Sequence, residues 1–332
     1  MYLKIKSRDK NNSKVCYSLK TNYITPNDVN VPSLLSKNAI KHPDHNAIML
    51  SNILPPFKEP NKSDYQTLDG FLLLESTQMA FPDDARKAIV TNKRINHVIL
   101  EDLSFFTGLI YLDVSENFLD ISPFGVLPRL KFLKCCYNNI INIKNITGFE
   151  KLIYLDLSYN RLTLESVQNL DCLPSLKELD LCGNDLRSLP IDMYRFASLE
   201  KLLLEHNKIA DNDIFPIICT IPRLEKVDLS YNFLSHISSE CCSQGYFNRL
   251  EEIDLSFNYF SLDSSVLPLF DLNRLKKVIL YGNPLLGPTG EDPLQIYVED
   301  IVNLAQTARE GSAKKPVEVL ILSLLFILKI FY

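Results

Sequence analysis

An eleven-residue pattern, L-x-x-L-x-L-x-x-N-x-L, recurs eight times in this 332-residue chain and constrains its fold more than any other feature. The copies begin at Leu109, Leu130, Leu152, Leu176, Leu199, Leu224, Leu250 and Leu275, in steps of 21 to 26 residues. Chance alternation of apolar residues does not place an asparagine eight times in one register. The middle pair of each copy, such as Leu155 and Leu157, alternates with other residues and predicts a short strand with its apolar side chains on one side. One such unit cannot bury that side alone. Neighbouring units must stack into a parallel sheet over a continuous apolar core.

The turn after each strand points backbone N–H and C=O groups into the coil, where each unpaired group costs about 1–3 kcal/mol. An asparagine amide both donates and accepts. The register therefore predicts a structural column of Asn117, Asn138, Asn160, Asn184, Asn207, Asn232, Asn258 and Asn283, none expected to bind a ligand. An irregular entry copy, ARKAIVTNKRI from Ala85, places Ala88 and Val90 at the strand positions and Lys93 where the others carry asparagine. Period and template together define a leucine-rich repeat. The expected fold is an α/β solenoid: a right-handed coil with a parallel concave sheet and a convex side of mixed helical, 3-10 and extended connections. TLESVQNLDCLPSL and DNDIFPIICTIPRL are expected to be helical, and DISPFGVLPRL and RSLPIDMYRFASL extended or 3-10.

Four segments follow. Residues 1–70 hold six of the 18 prolines and ten Lys/Arg against six acids, a net +4 that leaves −9 for the rest, and are read as an irregular arm. Residues 71–285 form the repeat domain, with GFLLLES (Gly70 to Ser76) read as a capping strand at its entry. Residues 286–310 are read as a closing amphipathic helix, on the spacing of Ile296, Val298, Ile301, Val302 and Leu304. Residues 311–332 are a linker and an apolar tail. As a helix the last 16 residues, from Val317, would span about 24 Å, less than the roughly 30 Å hydrocarbon layer. Membrane association is expected only if that tail is an anchor.

Composition removes several functions. Ten glycines and no phosphate-binding loop argue against a nucleotide-binding enzyme. A net charge of −5 gives no overall attraction for DNA or RNA, so no direct nucleic-acid partner is expected. The eight cysteines show no CxxC spacing and are read as free thiols, and no metal or cofactor is expected. His42 and His45 lack a supporting carboxylate cluster. His206 adjoins Glu205 without an arranged nucleophile, and the chain is read as a non-enzyme.

Three columns should project from the sheet. The first runs Tyr111, Phe132, Tyr154, Glu178, Lys201, Lys226, Glu252, Lys277. The middle runs Asp113, Lys134, Asp156, Asp180, Leu203, Asp228, Asp254, Ile279. The third runs Ser115, Cys136, Ser158, Cys182, Glu205, Ser230, Ser256, Tyr281. Tyr111, Phe132 and Tyr154, widened by Tyr137 and Tyr159, are an aromatic cluster of the kind that anchors a protein partner. The aspartates of the middle column are expected to favour a basic or hydroxyl-rich ligand.

The run from Glu101 to Leu133, EDLSFFTGLIYLDVSENFLDISPFGVLPRLKFL, resembles the start of the repeat domain of X-ray radiation resistance-associated proteins. ESVQNLDCLPSLKELDLCGNDLRSLP and FASLEKLLLEHNKIADNDIF are similar to its following repeats. The resemblance covers roughly Gly70 to Leu285. It implies a non-enzymatic cytoplasmic and nuclear protein associated with the cellular response to X-rays, and supplies no binding residues. The expected function is a monomeric protein-interaction scaffold using its concave face. The alternatives are a regulatory or targeting subunit of an enzyme such as a protein phosphatase, and a tail-anchored or adhesion protein.

Overall fold

A computed structural model describes residues 65–242 and 246–286 and the backbone of 295–297. The arm before residue 65, with His42 and His45, and the tail 317–332 lie outside the described residues. Among the described residues no helix is long and apolar enough to cross a membrane.

Alternation in each copy of the template produces one three-residue strand. These are β2 (Lys87–Ile89), β4 (Tyr111–Asp113), β5 (Phe132–Lys134), β6 (Tyr154–Asp156), β7 (Glu178–Asp180), β8 (Lys201–Leu203), β9 (Lys226–Asp228), β10 (Glu252–Asp254) and β11 (Lys277–Ile279). They pair in parallel and in sequence order, from β2 through β11. The register is the one the spacing dictates: Tyr111 opposite Phe132, Phe132 opposite Tyr154, Tyr154 opposite Glu178. The irregular copy joins the sheet as its first turn, with Ala88 opposite Leu112. The chain is a leucine-rich-repeat solenoid.

Two apolar side chains per strand point inward, and all are buried. The set runs from Ala88 and Val90 through Leu155 and Leu157 to Val278 and Leu280. Burying one such large aliphatic side chain contributes about 1.5–3 kcal/mol. The inward stripe is therefore the main source of cohesion between repeats. A second buried stripe precedes the strands, with Phe106, Leu127, Phe149, Leu173 and Phe196 three residues before the opening leucine of their repeats. The carbonyls of that stripe accept from the opening leucines, as in Leu152 N–H to Phe149 at 3.0 Å.

On the other side lie α3 (Leu164–Gln168), capped by Thr163 accepting from the Ser166 N–H at 3.2 Å, and α4 (Asp211–Ile218). Ser122–Val126 and Met193–Arg195 are 3-10 turns. Helical and 3-10 connections thus fall where the sequence places them.

Both ends depart from expectation. The run GFLLLES is not a strand but helix α1 (Gly70–Thr77). Asp69 starts it, its carboxylate accepting from the Leu72 N–H at 2.8 Å, the bond of a helix N-cap. The entry strand is instead β1 (Gln66–Leu68), inside the segment expected to be irregular, paired in parallel with β3 (Ile95–Val98). A short helix α2 (Leu100–Leu103) follows β3. At the far end, Gln295–Tyr297 form β12, pairing antiparallel with β11. These three residues fall within the expected closing helix and are extended instead. The remainder of 287–310 lies outside the described residues.

Candidate functional site: the sheet face

The asparagines link each turn to the one before it. Asn160 Oδ1 accepts from the N–H groups of Asn138 and Ile140, both at 3.0 Å, while its amide donates to Cys135 and Leu157 carbonyls at 3.0 and 2.9 Å. Asn184, Asn207, Asn232, Asn258 and Asn283 repeat the scheme, each donating to a carbonyl of its own repeat and one of the previous. Asn138 reaches back to Val114 O at 3.1 Å. Asn117 serves the irregular entry turn, accepting from Lys93 and Ile95 N–H at 3.0 Å and donating to Val90 O at 2.8 Å. Asn117 thus gives the Lys93 turn the same bonds that Asn160 gives the turn of Asn138.

The residue before each asparagine holds a left-handed backbone, from Glu116 (φ 58) through Tyr137, Tyr159, Gly183, His206, Tyr231 and Phe257 to Gly282. The rings of this column stack. Tyr137 and Tyr159 lie 4.6 Å apart and nearly parallel, at 4°. His206 and Tyr231, and Tyr231 and Phe257, are both 4.2 Å apart. Tyr137 and Tyr159, expected to widen the first-column cluster, stack on each other in this left-handed column. His206 Nε2 also lies 3.3 Å from Glu205 Oε1.

The middle column corrects the expectation of an open acidic stripe. Asp113 and Asp156 are each only 4% exposed. Each aspartate bends its carboxylate back onto the residue two ahead. Asp113 accepts from the Ser115 N–H at 3.1 Å and hydroxyl at 2.6 Å, and Asp156 from those of Ser158 at 3.0 and 2.7 Å. Asp180, Asp228 and Asp254 do the same with the N–H groups of Cys182, Ser230 and Ser256 at 2.9–3.0 Å. Lys134, between the first two, lies 3.5 Å from Asp156. The carboxylates thereby staple the turns that follow their strands. Burial, and next the charge of Asp156, push the Asp180 carboxyl up; burial and then Asp254 push Asp228 up to about 6. Asp254 is raised by burial as well. The serines and Cys182 of the third column are buried too.

The first column divides in two. From Glu178 onward its charges interlock: Lys201 meets Glu178 at 2.5 Å, and Glu252 takes Lys277 at 2.9 Å and Lys226 at 3.3 Å. Before Glu178 stand Tyr111, Phe132 and Tyr154, with ring centroids 6.5 and 6.4 Å apart and tilted by 34° and 39°. Phe132 is 38% exposed. Lys87 heads the column, in register with Tyr111 and with its ammonium 4.9 Å from that ring centroid. The step of 24 residues from Ala88 to Leu112 already puts Lys87 there, but a column begun at the first full repeat leaves it out.

The fold and this face define a leucine-rich-repeat protein, a class whose curved sheets serve protein–protein interaction. A leucine rich repeat family model matches residues 128–186. X-ray radiation resistance-associated protein 1 of Mus musculus is 33% identical over 189 residues, 51% of this chain and 24% of that protein. The expected resemblance to that family holds in the repeats. PH domain leucine-rich repeat-containing protein phosphatase 1 of Mus musculus is 30% identical over 138 residues, 40% of this chain and 8% of that protein. The chain thus spans a quarter or less of these relatives. An internalin of Listeria monocytogenes superposes with a TM-score of 0.52 at 21% identity, covering 66% of this chain and 65% of that one, a likeness of fold.

Proposed function

We propose that the chain is a non-enzymatic interaction scaffold that holds a protein partner across Tyr111, Phe132 and Tyr154 on the sheet face. One observation carries this reading: three aromatic rings stand side by side on a face where Glu178, Lys201, Lys226, Glu252 and Lys277 pair between repeats and the aspartates bond within theirs. A buried apolar core is not the rings' role, since Phe132 is 38% exposed. Clustered aromatics of this kind supply most of the binding energy where they occur at interfaces.

Proximity labelling in the cytoplasm and nucleus, with the parent chain and with Tyr111→Ala/Phe132→Ala/Tyr154→Ala, tests it. The parent should mark a discrete protein set that the triple variant loses, with thermal unfolding lowered by only a few degrees. An unchanged labelled set sinks the site.

The similarity to X-ray radiation resistance-associated protein 1 supports a place in the cellular response to X-rays. Survival after irradiation of cells lacking the chain, restored by the parent and not by the triple variant, checks it. The similarity to a leucine-rich-repeat phosphatase supports a second reading, a phosphatase-linked subunit. Phosphatase activity that co-purifies with the parent chain separates it from a scaffold alone.

A further inference from the structure

The entry repeat, from Ala85 to Ile95, carries Arg86, Lys87, Lys93 and Arg94 and no acid. All four are exposed. Arg86 spends its guanidinium on backbone carbonyls of Asp83 and Ala85. Lys87, Lys93 and Arg94 have no ion-pair partner among the described residues. In the first column Lys201, Lys226 and Lys277 are each matched by a glutamate, whereas among the described residues Lys87 meets the Tyr111 ring and no carboxylate. Across residues 65–286 there are 21 Lys/Arg against 29 Asp/Glu, so this repeat is a positive island in a negative molecule.

Lys87 joins this island to the aromatic trio through its register with Tyr111. We infer that the site takes an acidic protein segment, with an apolar side chain on the Tyr111–Phe132–Tyr154 rings and carboxylates facing Lys87, Lys93 and Arg94. This inference rests on the sheet-face reading above and reverses the basic ligand expected from an open aspartate column. Two facts favour a peptide over a nucleic acid, whose bases also stack on aromatic rings. The column beyond Tyr154 turns to Glu178, and the cations that no carboxylate matches among the described residues stand at the Lys87 end. A peptide with two or three carboxylates at one terminus matches that asymmetry, whereas a chain of phosphates running down the face does not.

A random dodecapeptide phage library selected on the whole chain tests the inference, with recovered peptides synthesised and titrated by fluorescence anisotropy. Recovered sequences should combine an aromatic or leucine residue with at least two Asp or Glu. Their affinity should fall tenfold or more in Lys87→Glu/Lys93→Glu/Arg94→Glu, whose exposed positions leave thermal unfolding unchanged. It should also fall in Phe132→Ala and weaken with added salt. Peptides lost in Phe132→Ala but unaffected by charge reversal would overturn the acidic partner while leaving the aromatic site intact. Peptides unaffected by Phe132→Ala, or no enrichment at all, would overturn both. Labelled oligouridylate that binds the parent and is lost in both variants would overturn the peptide in favour of single-stranded nucleic acid.

Discussion

Tyr159 lies face-on against Gly183: a methyl group built on the glycine would sit 2.6 Å from the tyrosine Cδ1. Gly183 also holds φ +63, a conformation that favours glycine. The same pairing recurs one stack further on, with Phe257 against Gly282. Each run of stacked rings in the left-handed column therefore ends on a glycine. Gly183→Ala should cost about 2–3 kcal/mol, from the left-handed backbone and the displaced ring together. In urea unfolding, Tyr159→Ala introduced alongside should recover only the steric part. Parental stability in the single variant would show that the ring has room to swing away.

Asn160 holds two repeats together through one side chain. Its removal leaves the N–H groups of Asn138 and Ile140 and the carbonyl of Cys135 short of partners inside the coil. At about 1–3 kcal/mol for each group, Asn160→Ala should destabilise the chain by at least 3 kcal/mol. Chemical denaturation measures this directly. A loss below 1 kcal/mol would mean that water replaces the amide.

The aspartate column makes stability depend on pH with an unusual sign. Burial and Asp254 raise the Asp228 carboxyl to about 6, above the roughly 3.9 of an unfolded aspartate. Between those values the folded chain binds the extra proton, so stability falls as pH rises through that window. Asp180, raised by burial and Asp156, acts in the same direction. Glu252 opposes them: burial raises its pKa, but hydrogen bonds from Lys277 and Lys226 outweigh that and lower it. Thermal unfolding followed by circular dichroism should give a higher Tm at pH 5 than at pH 7. Asp228→Asn keeps the oxygen that accepts from Ser230, so it should raise Tm at pH 7 and flatten the slope. A variant no more stable than the parent at pH 7 contradicts the burial penalty.

The charge ladder of the first column should matter far less. The Lys226, Glu252 and Lys277 side chains are a quarter to a half exposed, and pairs of that kind contribute about 0–1 kcal/mol. Glu252→Gln should therefore cost under 1 kcal/mol by denaturant unfolding, with a smaller loss in high salt. A larger loss would mark the ladder as a true staple between the last repeats.

Much of this architecture is legible in the sequence because the alternation of two and the asparagine at each turn are strictly local signals. They place every strand from Tyr111 to Ile279 and set the pairing register. The fate of the aspartates is not local. Alternation says that Asp113 faces away from the core, but not that its carboxylate folds onto Ser115. The helix over Gly70–Thr77 announces itself only through Asp69 as its cap, while the leucine run fits strand and helix equally. Gln66–Leu68 is too short to show a period at all. The stacked rings of His206, Tyr231 and Phe257 do leave a trace, an aromatic residue directly before the asparagine. It becomes visible only once the asparagines are aligned.

The two borders of the large sheet have a consequence for how such a molecule varies. At one border Gln295–Tyr297 run against the direction of β11, and at the other α1 packs beside β2. A strand set antiparallel, like a helix, interrupts the run of parallel turns. Whole repeats can be gained or lost inside the coil, each changing the reach of the face by about 4.8 Å, while these two borders stay as they are.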